Sequence, residues 1–308
     1  MISGLDPANE QFLASINDLQ SRFDHAQEQL SSGLRVNQAS DAPEDVADIF
    51  QARADLARLN QIDQNLTAVK SQVDTADSSL QSALQVLDAA GVLGVQGATG
   101  TTTAAQRAAL ADQVQGLLSQ LVALSRTQVD GVYIFSGDQG GLPSYQLDLA
   151  SPTGVDRLVK TQATQQIADP SGVSFQIAMT AQDLFDKRDA SDNPAPENAF
   201  QALNNLRLAL LANDPNGISQ AIDSIHTAST YLNQQLGFYG AAQNRIAQSI
   251  ELAQKFQVQS QTQLSNLQDA DIPSVAVELS QARTSLGAAM AAQARRPTMT
   301  LFDYLPLA

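Results

Sequence analysis

Few side chains in this chain of 308 residues are spaced to do chemistry. His25 and His226 are its two imidazoles, and neither has a second His, Asp or Glu four residues away. A metal centre needs three or four converging ligands, so each reads as a solvated or packed histidine. With no Cys, thiolate zinc sites, cysteine nucleophiles and disulfides are excluded. Ser31-Ser32-Gly33 and Ser136-Gly137-Asp138 lack the spacing of a nucleophile elbow and have no candidate base. Gly91, Gly94, Gly97 and Gly100 lack the strand-to-helix setting and the terminal Lys-Ser/Thr of a phosphate loop, and read as a hinge. Asp138, Asp148 and Asp156 are too far apart for a calcium loop and read as solvated acids. Tyr145 with Phe175 is thin support for a carbohydrate platform. The sequence thus predicts no catalytic, cofactor-binding or metal residues, no cofactor and no enzyme.

The composition points the same way. The formal net charge is −15, yet only 16% of residues are charged, and 38 Gln and 47 Ala fill the gap. An acidic surface opposes nonspecific binding to nucleic acid or to an anionic membrane. No stretch approaches the ~20 apolar residues of a membrane helix. The start, MISGLDPANE, has neither the basic nor the apolar region of a cleavable signal peptide.

The elements implied are mostly helices. No Pro occurs between Pro43 and Pro143 or between Pro215 and Pro273, in stretches rich in Ala, Gln and Leu. Phe12, Ile16, Leu19, Phe23, Ala26 and Leu30 follow alternating steps of four and three. Leu59, Ile62, Leu66, Val69, Val73, Ala76, Leu80, Ala83 and Leu87 do likewise, after a stammer at Leu56-Leu59-Ile62. Leu110, Val114, Leu117, Leu121 and Leu124 form a shorter stripe. The longest stripe begins Ile218, Ile222, Ile225, Ser229, Leu232, Leu236, Tyr239, Gln243, Ile246 and Ile250. It continues through Ala253, Gln257 and Ser260 to Leu264 and Leu267. Val275, Leu279, Ala282, Leu286 and Ala289 end the series. Such narrow seams are buried only against other helices. A helix over 218–267 would be about 75 Å long. Val132–Phe135 and Val173–Ile177 are β-favouring runs in a Gly/Pro/Thr-rich interval.

The predicted fold is therefore mainly α: an elongated antiparallel helical rod with a small β-containing insertion. The expected divisions are 1–40 (terminal helix), 41–130 (rod), 131–195 (insertion), 196–271 (rod) and 272–308 (terminal helix). Asp41 and Glu44 read as a capping box for the second helix, with Pro43 in its first turn. Gly33 reads as the residue ending the first. The terminal stripes can form at most a two-helix layer, which cannot enclose an apolar seam. Phe12, Ile16, Leu19, Phe23, Leu30, Val275, Leu279 and Leu286 are the expected subunit-interface residues. These segments should be poorly ordered in a lone subunit and ordered in an assembly.

The run Gln29-Leu30-Ser31-Ser32-Gly33-Leu34-Arg35 to Ala39-Ser40-Asp41-Ala42-Pro43 resembles a signature of bacterial flagellins and their hook-associated relatives. Ala42 replaces the second Asp of its usual Asp-Asp-Pro step. Gln106 to Leu124 resembles the family's third helix, and Leu236-Gly237 to Asn244-Arg245-Ile246 its Gly-x-x-x-x-Asn-Arg segment. Leu264-Ser265 to Asp271 precedes the last helix as in that family. Gly131-Val132-Tyr133-Ile134-Phe135-Ser136-Gly137 and Leu301-Phe302-Asp303-Tyr304-Leu305 are similar to elements of the members that join hook to filament. The start lacks the Met-Arg-Ile-Ser usual in those members.

The resemblance implies a flagellum-building protein outside the cell, serving motility, exported through the type III channel without a cleavable signal peptide. Its implied partners are copies of itself in a helical or ring assembly, a neighbouring hook-associated protein, flagellin and an export chaperone. A filament flagellin is the alternative within the family. A cytoplasmic helical signalling hairpin is the alternative outside it.

Overall fold

The structure is a computed structural model that describes residues 7–160 and 164–294. Its helices are α1 (Pro7–Ser32), α2 (Val46–Ala98), α3 (Ala104–Ser125), α4 (Ala181–Leu184), α5 (Ala199–Leu211), α6 (Pro215–Gln268) and α7 (Ile272–Ala294). Six short strands lie between α3 and α4: β1 (Gln128–Val129), β2 (Val132–Tyr133), β3 (Tyr145–Leu147), β4 (Val155–Arg157), β5 (Gln166–Ala168) and β6 (Ser174–Gln176). The chain is mainly α, as the periodicity requires. It divides into two compact units, one of Met1–Arg58 with Gln257–Ala308, the other of Leu59–Phe256.

In the second unit, α2 and α6 run antiparallel: the Gln243 amide donates to Asp74 at 3.0 Å, while Gly94 faces Ile222. The α6 seam is legible but one residue off on one side. Ile218, Ile225, Leu232, Tyr239, Ile246 and Ala253 are buried at seven-residue intervals, as predicted. The alternate buried positions are Ala221, Ala228, Ala242 and Ser249, not Ile222, Ser229, Gln243 and Ile250. Small side chains occupy the closest approach, and the larger neighbours flank it half-buried, as close packing demands. In α3, Val114 and Leu121 are buried, joined by Leu118, because α3 also packs on α5.

The glycines of α2 correct the hinge reading. Helix continues through Gly91, Gly94 and Gly97. A Cβ on Gly94 would come within 2.8 Å of Ile222, and one on Gly97 would collide with Leu210. These residues lack side chains so that α5 and α6 can approach. The next helix start is fixed locally: Thr103 caps α3 through Gln106 in a reciprocal capping box.

The insertion is three separate antiparallel hairpins, β1–β2, β3–β4 and β5–β6. Asp130 and Gly131 both have positive φ (52° and 79°), the twist a two-residue hairpin turn needs. Of the run Val132–Phe135, only the first two residues are strand, while Ile134 and Phe135 enter the core. Phe185 meets Phe135 edge-on at 5.8 Å and Phe200 at 6.0 Å. Beneath them lies a fully buried carboxylate, Asp186. It accepts from the Tyr145 hydroxyl (2.9 Å), Arg188 Nε (2.7 Å) and Asn198 Nδ2 (2.6 Å). Asn198 in turn caps α5 by accepting from Gln201 N–H at 2.9 Å.

Candidate assembly interface

The first unit is built on α1 paired with α7. Both terminal segments are helical over their described residues. Each gives the other a partner. Arg22 reaches Glu278 at 3.5 Å across the pair, an exposed ion pair that adds little stability.

The pairing covers the predicted residues only in part. Ala26, Val275 and Ala282 are buried. Phe12, Ile16, Leu19 and Phe23 on α1, and Leu279 and Leu286 on α7, are half-buried. Leu30 is exposed, and Gln29 takes the buried position beside it. Leu13, Val277 and Met290, which the stripes did not include, are each more than half exposed. A two-helix layer therefore leaves an open apolar surface, as its geometry dictates.

The α1 and α7 ends are anchored by an elbow. Gly33, with φ of 75°, turns the chain out of α1, and its carbonyl accepts from Ala270 N–H at 3.0 Å. Arg35 N–H donates to the Gln268 carbonyl at 2.7 Å. The Arg35 guanidinium donates to Asp45 and to the Leu267 carbonyl, both at 2.6 Å. Buried Gln29 donates to the Arg35 carbonyl at 3.0 Å, and its amide lies 3.0 Å from His25 Nε2. Val36, Ala42 and Ile49 pack beneath, against Leu264 and Leu267.

Asp41 does not open α2. Its carboxylate reaches backwards to accept the amides of Gln38 and Asn37, each at 2.9 Å. Those bonds, Gln38's foremost, hold it below the usual carboxylate range. The first i→i−4 bond of α2 runs from Ile49 N–H to the Asp45 carbonyl at 2.9 Å. The capping-box reading fails because Asp41 is used to tighten the loop.

The other chemistry-capable residues are absorbed structurally. Ser31 donates to the Glu28 carbonyl, and Ser32 accepts Leu34 N–H. Ser136 is buried against Ser144 and the Leu142 carbonyl. Asp148 accepts the Ala150 amide, Asp156 accepts from Gln146, and Asp138 is exposed. Tyr145 and Phe175 are buried, and Arg245 stacks 4.3 Å from the Phe175 ring centre. His226 lines a groove between α2 and α6. Among the described residues, no three His, Cys, Asp or Glu converge as a metal site, and no helix is long and apolar enough to cross a membrane. Leu301–Leu305 lies outside the described residues.

Residues 7–140 match the bacterial flagellin N-terminal helical region. Flagellin FlaB2 of Treponema pallidum is 25% identical over 284 residues, covering 90% of each chain. Flagellin of Bacillus subtilis is 27% identical over 252 residues, 77% of this chain and 78% of its own. Among solved structures, a putative flagellar hook-associated protein from Vibrio parahaemolyticus has a TM-score of 0.64 at 14% identity. It aligns over 74% of this chain and all of its own. Flagellar hook-associated protein-3 of Legionella pneumophila has a TM-score of 0.61 at 12% identity, over 71% of this chain and 98% of its own.

Proposed function

We propose that this chain belongs to the flagellin family and is a structural subunit joining hook to filament in the bacterial flagellum. The observation carrying the proposal is the half-covered apolar surface of the α1–α7 pair, which needs neighbours to complete it. Phe12, Ile16, Leu19, Phe23, Leu30, Val275, Leu279 and Leu286 are the contacts assigned to those neighbours. The neighbours are copies of the chain, a further hook-associated protein and flagellin. An export chaperone would shield the same stripes before delivery through the type III channel. The function is mechanical and serves motility. Family and fold are those of structural flagellar proteins.

Deletion of the gene tests this reading. Hooks without filaments, with filament protein lost to the medium, are expected. Motile cells carrying full filaments would contradict it. A second reading, filament flagellin, is favoured by the flagellins that align over most of this chain. Long filaments grown from the purified chain alone would make it the better description. The signalling-hairpin alternative is disfavoured by the hairpin-bearing insertion, since such proteins turn at a helical tip.

A further inference from the structure

The second unit carries an apolar groove of about 530 Å³ between α2 and α6. Leu87, Val92 and Val95 line one side, Ile222 and Ile225 the other, and Gly91 lowers its floor. Val92 and Val95 are each 58% exposed. Asp88 stands at the rim, and no ion pair among the described residues uses it. An acid beside an apolar trough between two helices suits a helix that presents an apolar knob next to a cation.

The chain itself carries such a face. Phe50, on α2 in the first unit, is 64% exposed. Arg53 and Ala54 follow at three and four residues, hence on the same face, and both are exposed. No ion pair among the described residues uses Arg53. With 17 Lys and Arg against 32 Asp and Glu, a basic apolar helix face is scarce on this molecule. Both features lie on α2, and one turn of an unbroken helix cannot fold onto another turn of the same helix.

We propose that the α2–α6 groove receives the Phe50–Arg53 face of a second copy of this chain, with Phe50 over Val92 and Arg53 at Asp88. The inference rests on the assembly reading above and adds to it a specific, head-to-tail contact. A contact between two different surfaces does not close on itself in a pair, so it propagates through a ring or a helix.

The absence of Cys makes the test clean. Phe50→Cys and Val92→Cys are introduced together into the full chain, in a strain lacking the wild type, and isolated flagella are oxidised. Disulfide-linked multimers are expected from the double variant, and monomer alone from each single variant. Flagella that contain the double variant only as monomer would overturn the groove contact and leave the assembly reading intact. Absence of the wild-type chain from flagella would overturn both. As a second measurement, Arg53→Glu should reduce motility, and adding Asp88→Arg should restore it. Full motility of Arg53→Glu would overturn the charge pairing.

Discussion

The two units solve the burial problem in opposite ways. The unit Leu59–Phe256 encloses a continuous core with fully buried Tyr145, Tyr239, Phe135, Phe185 and Phe200. Among its described residues, the unit of the two chain ends buries few apolar side chains, mostly small: Ala26, Val36, Ala42, Ile49, Ala52, Val275 and Ala282. Its elbow is held by backbone hydrogen bonds and by Gln29 and Arg35. Its larger apolar side chains stay half-open along α1 and α7. The contrast separates self-sufficient packing from packing that leaves much of its apolar surface uncovered within the chain.

The sharpest way to break this contrast is within the closed unit. Asp186→Ala strands Arg188, the Tyr145 hydroxyl and Asn198, and should cost about 3–5 kcal/mol. Denaturant unfolding should show it as a lowered midpoint for that unit. Leu118→Ala, at a fully buried α3 position, should cost about 2–5 kcal/mol on the same measurement. Gly97→Val, which would force a side chain into Leu210, should cost about 1–3 kcal/mol.

Effects in the open unit should be smaller and local. Gln29→Ala leaves the Arg35 carbonyl without its amide donor, for about 1–3 kcal/mol. Hydrogen exchange should quicken at 33–36 and leave the closed unit unchanged. The smallest effect concerns acid. Asp192, with Arg157 as its main partner and Lys160 second, is held down to about 2. Because its folded value is depressed, its contribution is present above the ordinary carboxylate value and lost as pH falls towards 2. NMR titration of its carboxylate should find that depressed value, and Arg157→Gln should raise it.

Helix type and the buried heptad positions of α6 were legible because period is a property of spacing. The companion positions were not, because Ala221, Ala228 and Ala242 carry little hydrophobic signal and matter for their smallness. Gly94 and Gly97 are opaque in the sequence for the same reason: only the neighbouring helix reveals why a side chain is missing. Asp41 fitted a capping pattern, yet loop amides upstream claimed it. The Asp186 cluster is not legible in the sequence because Tyr145 reaches it across 41 residues and no spacing pattern marks Arg188 and Asn198 as its partners. The terminal stripes were legible as apolar faces, while the exposure of Leu13 and Met290 needed the helix pair itself.

The central claim is that the α1–α7 surface is kept open for neighbours. Full-length chain carrying Phe12→Gln with Ile16→Gln tests it most directly, by unfolding in denaturant and by incorporation into flagella. The account predicts an unchanged unfolding midpoint for the closed unit and loss of incorporation. Normal incorporation and normal motility would contradict it.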